Sequence, residues 1–172
     1  LAGAIRHRIQ DILEELQQNQ INLPKNISDI IDTAFGYVNE TEACASNIII
    51  SESEIKKARP LTMVRTGVSR FESAVKSGAL YKEKTYVDGE LSLKIAVRKS
   101  QNPRDSRWIM GLILLALKDL QNGFLAVGGQ TAIGRGVFMA NGPILIDGET
   151  SKEEQYIAEI LQNMSGMGGS ES

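Results

Sequence analysis

Ile109 to Leu117 reads Ile-Met-Gly-Leu-Ile-Leu-Leu-Ala-Leu, nine residues without a charge, and it is the longest apolar run of the chain. Ile109, Leu112, Ile113, Ala116, Leu117 and Leu120 recur at helical spacing, and Asn122-Gly123 supplies a stop signal. A bilayer span needs roughly 20 such residues, so this helix is too short to cross one. It is also too apolar to lie at a surface. The run therefore predicts a core helix packed against a sheet. No basic-then-apolar leader opens the chain, and the two observations together predict a cytoplasmic protein without a membrane partner.

The segments around it alternate between helical and strand patterns. Ile5, Ile9, Ile12, Leu13 and Leu16 predict an amphipathic helix from residue 2 to about 19. After the break at Asn19 to Asn26, Ile27 to Phe35 reads as a short second helix ending at Gly36. Asn47 to Ser51 reads as a strand, and a strand at Leu61 to Arg65 opens a long basic stretch without clean periodicity that runs to Gly78. Ala79 to Val87 and Glu90 to Val97 flank Asp88-Gly89, a strong hairpin signal. Gln101 to Asp105 reads as a loop. Strands are expected at Val137 to Ala140 and Pro143 to Ile146, and Ser151 with Glu154 has capping-box spacing ahead of a last helix bearing Tyr156, Ile157, Ile160, Leu161 and Met164 on one face. The pattern is α+β. With 172 residues and no internal repeat, a single domain over 1–164 is expected, followed by a disordered tail over 165–172.

The net charge of −2 conceals an uneven distribution. Lys56, Lys57, Arg59, Arg65, Arg70 and Lys76 stand against Glu72 alone, giving that window +5; Lys94, Arg98, Lys99, Arg104 and Arg107 against Asp105 add +4. Asp147 to Ser172 is −5. A basic middle with Phe71, Tyr81 and Tyr86 nearby suits a polyanion, because cations neutralise phosphates and aromatic faces stack on bases; the plainer reading is a solvated, salt-bridged surface.

Few residues carry a recognisable chemistry. One cysteine, Cys44, excludes an internal disulfide, and no Cys/His cluster has zinc spacing; Cys44 itself reads as a small, partly buried residue. His7, the only histidine, sits between Arg6 and Arg8 off the apolar stripe. It is the one candidate acid/base catalyst, and an exposed helix-terminal histidine is the commoner case. The loop Val127-Gly-Gly-Gln-Thr-Ala-Ile-Gly-Arg-Gly136 is the most informative motif. Gly128, Gly129, Gly134 and Gly136 allow close backbone approach to a ligand, and Arg135 adds charge. It lacks Gly-Lys-Ser/Thr and precedes a strand pattern, so neither the P-loop nor the Rossmann fingerprint applies. No metal motif or cofactor is evident.

Several segments, in order, resemble the RAMP (repeat-associated mysterious protein) superfamily of CRISPR-associated proteins, above all the backbone subunits of type III effector complexes. Leu1-Ala-Gly-Ala-Ile-Arg6 looks like the second half of the family's Gly-Ser-Ser-Leu-x-Gly-x-Leu-Arg motif. Ala34-Phe-Gly36 followed by Ser46 to Ser51 looks like its Phe-Gly step into a strand. Arg65-Thr-Gly-Val68 and Gly78-Ala-Leu-Tyr81, with Glu83 and Gly89 beyond, are similar to the segment around an RNA-kinking thumb. Gly128-Gly129 and Gly134-Arg-Gly136 resemble the C-terminal glycine-rich loop. Two departures stand out: Ser69 is followed at once by Arg70-Phe71 where many relatives carry Ile-Asp-Arg, and Ile133 stands where many place an arginine.

The resemblance implies an RNA-recognition-motif-like, ferredoxin-like domain with insertions. Its first strand would lie before residue 1, together with the loop that holds a cleavage aspartate in target-cutting relatives. It further implies binding to guide CRISPR RNA and target RNA, to other type III effector subunits and to further copies of the chain. A divalent metal is implied only where the full-length protein cleaves RNA. Arg6, Arg65, Arg70, Lys76, Gly128, Gly129, Gly134, Arg135 and Gly136 are the candidate RNA contacts. The competing classes are an endoribonuclease, acting on precursor RNA through His7 or on target RNA, and an enzyme holding a phosphorylated small molecule at the glycine loop.

Overall fold

Four helices and six strands, in the order α1-α2-β1-β2-β3-β4-β5-β6-α3-α4, make up the computed structural model, which describes residues 1–21, 23, 25–68, 75–99, 103–150 and 152–165. The helices are α1 (Ala2–Gln18), α2 (Ile27–Phe35), α3 (Pro103–Gln121) and α4 (Lys152–Ser165). The strands form three two-stranded ladders: β1 (Tyr37–Val38) with β2 (Ala43–Cys44), β3 (Ile48–Ile50) with β6 (Ile95–Val97), and β4 (Arg59–Val68) with β5 (Val75–Val87). The α+β class expected from the sequence is the class observed. The chain divides into two compact units, a body of Leu1–Ile49 with Ile95–Ser172 and a ribbon of Ile50–Lys94.

The body holds the core. Ile5, Ile9, Ile12 and Leu13 of α1, Ile30, Ile31 and Ala34 of α2, and Ile109, Leu112, Ile113, Leu114 and Ala116 of α3 are all buried, so the periodicities of the sequence mark the faces that meet. Asn26 caps α2 by accepting the Asp29 amide at 2.8 Å. Gly36 ends that helix at φ +74°, where an added Cβ would fall 2.3 Å from the Cys44 carbonyl oxygen. Only glycine fits there. Gly111 serves packing instead: a Cβ on it would lie 2.3 Å from Ile160 Cδ1, so the missing side chain is what lets α4 approach α3. α3 ends at Gly123 (φ +77°), with the Phe124 amide donating to the Asp119 carbonyl at 2.8 Å, the closing bond of a Schellman motif.

Several expectations need correction. Asp88-Gly89 does not join a hairpin of Ala79–Val87 with Glu90–Val97; β5 pairs with β4 in the register Arg59↔Val87 through Thr66↔Leu80, and β6 pairs with β3. A tight two-residue turn of that kind needs positive φ at both central residues, and only Asp88 (φ +58°) has it. Its carboxylate instead accepts from Arg59 Nε at 3.0 Å and closes the end of the β4–β5 ladder. Beyond it the chain runs back along residues 51 to 56, through a bridge of Lys56 with Glu90 and the Ser53 hydroxyl donating to the Ser92 carbonyl. Pro103 is the first residue of α3, not part of a loop, a position that suits proline's fixed φ and missing N–H. The strands expected at 137–140 and 143–146 do not form. Ala140 N donates to Gln121 O and Val127 N to Gly136 O, isolated bonds that tie the segment to the end of α3 and to the loop base without making a ladder. Cys44 is exposed on a two-residue strand. Of the tail, 166–172 lies outside the described residues, as does Ser151 of the capping box.

Candidate nucleic-acid interface

Register assigns the two faces of the ribbon. Side chains directly opposite across an antiparallel ladder share a face and alternate along each strand. One face thus carries Arg59, Leu61, Met63 and Arg65 with Tyr81, Glu83, Thr85 and Val87; the other carries Pro60, Thr62, Val64 and Thr66 with Leu80, Lys82, Lys84 and Tyr86. On the first face the charges compensate one another. Arg65 Nε stands 3.0 Å from Glu83 Oε2, an ion pair whose N–H is not aligned on the oxygen, and Arg59 binds Asp88. Lys57 nearby pairs with Glu90 at 2.7 Å.

The second face is different in kind. Among the described side chains its only charges are Lys82 and Lys84, and among the described residues neither has a carboxylate within ion-pair distance. Its apolar groups are open to solvent: Val64 is 57% exposed, Leu80 69% and Tyr86 64%. Counting net charge over whole windows missed this set, because Glu83 between the two lysines cancels one of them on paper while pointing to the opposite side. The signal that finds it is the period-two pattern Lys-x-Lys-x-Tyr over 82–86.

The glycine loop of the body forms a second candidate element. The Val127–Gly136 hydrogen bond of 2.9 Å closes its base, and a one-turn 3₁₀ helix, Thr131–Ile133, lies between Gln130 (φ +63°) and Gly134 (φ +81°), both left-handed. Gly136 has a structural reason to be glycine, since a Cβ there would sit 1.8 Å from the Val127 carbonyl oxygen. Gly128, Gly129 and Gly134 face open space, and the amides of Gly128 and Gly129 make no hydrogen bond among the described residues. Two consecutive free amides suit an anion. Arg135 is half-buried and donates through Nη1 to Gln130 Oε1, which fastens the loop across its turn.

The remaining candidates are scattered. Arg6 is exposed on α1, 3.8 Å from Asp32, and no hydrogen bond or ion pair joins it to the glycine loop among the described residues. Arg8 is committed to architecture: its Nε donates to Asp119 Oδ2 at 2.6 Å, and that bond holds the guanidinium pKa above its ordinary value against the opposing effect of burial. His7 is exposed, with no hydrogen-bond or ion-pair partner among the described residues. Lys76 lies on β5, and its side chain, like the whole of Arg70 and Phe71, is outside the described residues.

A cleft of about 600 Å³ in the body is lined by Lys25, Asp29, Asp32, Tyr37, Asn39 and Cys44 among others. Its carboxylates make it unsuited to phosphate. Tyr37 donates to Glu42 Oε2 at 3.2 Å, which raises the phenol pKa. Among the described residues no three His, Cys, Asp or Glu side chains converge into a set that fits a metal ion. No helix among them is long and apolar enough to cross a membrane.

Comparison with protein families agrees with these observations. The model of the RAMP superfamily matches residues 1–138, a span that takes in α1, the whole ribbon, α3 and the glycine loop. The chain belongs to the RAMP superfamily. Ferredoxin-like folds are carried by that superfamily, with which the α+β order of elements is consistent, and the coarse function that membership carries is CRISPR-associated RNA binding. No match was found among curated proteins.

Proposed function

We propose that this chain binds guide RNA as a backbone subunit of a type III CRISPR interference complex, in the cytoplasm and in the service of antiviral defence. The observation that carries the reading is the ribbon: Ile50–Lys94 holds nine Lys and Arg against six Asp and Glu, +3, while the rest of the chain is −5. A cationic two-stranded ribbon with exposed aromatic rings is the chemistry of a surface that accepts any RNA sequence, because phosphate contacts carry no sequence information. Target RNA and neighbouring effector subunits, including further copies of the chain, would be its partners. Arg6, Arg70, Lys76, Arg135 and the amides of Gly128, Gly129 and Gly134 are the proposed backbone contacts; Gly136 supports the loop. Arg65, with its charge answered by Glu83, contributes little.

Fluorescence anisotropy with a mixed-sequence single-stranded RNA, against the matching duplex DNA at two salt concentrations, tests this. Salt-sensitive, sequence-tolerant binding of the single strand is expected. Binding confined to one sequence, or none at either salt concentration, would overturn it. The endoribonuclease reading through His7 gains no support from the position of that side chain. His7→Ala is expected to leave the gel pattern of an incubated precursor RNA unchanged.

A further inference from the structure

We infer that the β5 edge of the ribbon's second face, Lys82, Lys84 and Tyr86, is a track for one extended RNA strand, with the two lysines on successive phosphates and the Tyr86 ring beneath a base. The inference rests on the RNA-binding reading above and gives it a face and a strandedness.

The argument begins from spacing. Residues two apart on a strand lie about 7 Å apart on the same side, a separation comparable to that of adjacent phosphates in an extended single strand. Lys82 and Lys84 are so placed, and Tyr86 continues the row by one more step. Charge selects this face over the other. Glu83 and Asp88 compensate Arg65 and Arg59 on the opposite side, so an approaching phosphate there must compete with a carboxylate already in place. Across from Lys82 and Lys84 the ladder sets Val64 and Thr62, which do not compete.

Exposure selects the ligand. A ring 64% exposed beside lysine stems offers a flat apolar platform, and Leu80 and Val64 extend it along the same face. Base faces are reachable in a single strand and hidden in a duplex, so a surface that joins cations to an aromatic platform fits the single strand. An acidic protein segment would use the lysines and leave Tyr86 without a base-like partner. That alternative is an outcome of the test.

The experiment measures the salt dependence of binding of mixed-sequence single-stranded RNA to the 172-residue chain and its variants by anisotropy, with thermal melts to show that each variant is folded. For Lys82→Gln/Lys84→Gln, the slope of log K against log salt is expected to fall by about 1.4, two contacts at roughly 0.7 each for single strands. Tyr86→Ala is expected to weaken binding about ten-fold and Tyr86→Phe to retain it within about two-fold, since the ring and not the hydroxyl is used. Arg59→Gln, on the opposite face and paired with Asp88, is expected to keep the wild-type slope. RNA binding by the wild type with an unchanged slope in the double lysine variant overturns the track and leaves the RNA-binding reading standing. Displacement of the RNA by polyglutamate as readily as by unlabelled RNA also overturns it, in favour of an acidic protein partner. Absence of binding by the wild type overturns the RNA-binding reading itself, and the track falls with it.

Discussion

The body and the ribbon are held together by different physics. The body holds every buried apolar side chain found among the described residues, most of them on its four helices, from Ile5 on α1 to Ile160 on α4. In the ribbon the ladder of β4 with β5 is the main structure, every described side chain is exposed or half-buried, and the ion pairs Lys57–Glu90 and Arg59–Asp88 lie at the surface. Burial of apolar area is the dominant favourable term in folding, whereas exposed ion pairs contribute little and a lone two-stranded hairpin is marginal in water. A segment that forgoes a core keeps side chains open to solvent, as Val64, Leu80 and Tyr86 are. The body supplies stability, and the ribbon supplies surface.

Amide hydrogen exchange gives the largest contrast to measure. Amides in the middle of α3, around Leu112 to Ala116, open only with the whole body, whereas those of β4 and β5 open locally; exchange rates differing by about 1,000-fold or more are expected. Comparable protection in the two would break the comparison and mean that the ribbon has a core of its own. Next in size is Ile113→Ala. Ile113 is fully buried in α3, so its truncation is expected to cost about 2–5 kcal/mol in a urea titration. A cost below about 1 kcal/mol would mean that the body repacks around the gap.

The body was more legible in the sequence than the ribbon, for the same reason. Helical periodicity records which side chains are buried, and α1, α2 and α3 were readable because Ile5, Ile9, Ile30, Ile109 and Leu112 answer to one core. The ribbon has no core to imprint a pattern. Its ends were misplaced because Asp88-Gly89 favours a turn locally, while the pairing that wins, Arg59↔Val87 onward, is set between segments far apart in sequence. The expected strands at 137–140 and 143–146 failed in a related way: Val137, Met139 and Leu145 have β-prone or apolar side chains, but a strand exists only where a neighbour completes its ladder. At the candidate site the glycine loop was visible as a motif. The Lys82–Lys84–Tyr86 row was not, since net charge ignores which side of a strand a residue occupies.

A smaller effect tests how the body's helices are fastened. Arg8→Ala removes the 2.6 Å bond to Asp119 that ties α1 to α3, and leaves a half-buried carboxylate without that partner. About 1 kcal/mol of stability is expected to go, allowing for the partial exposure of both groups. The sign with pH follows from the raised pKa of Arg8: the bond's contribution is fully present below the guanidinium's ordinary pKa and is lost only as pH rises through the higher folded value. Across the neutral range the stability difference between wild type and Arg8→Ala should therefore be flat on the arginine's account. A difference that fell on raising the pH from 6 to 9 would show that some other group carries the effect.

The smallest expected effect is the one that speaks most directly to what the ribbon is for. Val64→Thr is nearly isosteric and keeps a β-branched side chain, so the strand's local preference is preserved while an apolar group becomes polar. At a buried position this change is costly, because the hydroxyl needs a partner. At a position 57% exposed, water supplies that partner, and the stability change is expected to stay within about 0.5 kcal/mol. Val64 lies directly opposite Lys82, on the face inferred to carry RNA. The same variant therefore separates two roles for that face: near-zero change in the melt of the free chain, together with weaker RNA binding, means that the apolar groups meet bases only when RNA is present. A loss above about 1 kcal/mol in the free chain would mean that the face is already covered in solution, and that the contrast between a buried body and an open ribbon does not hold.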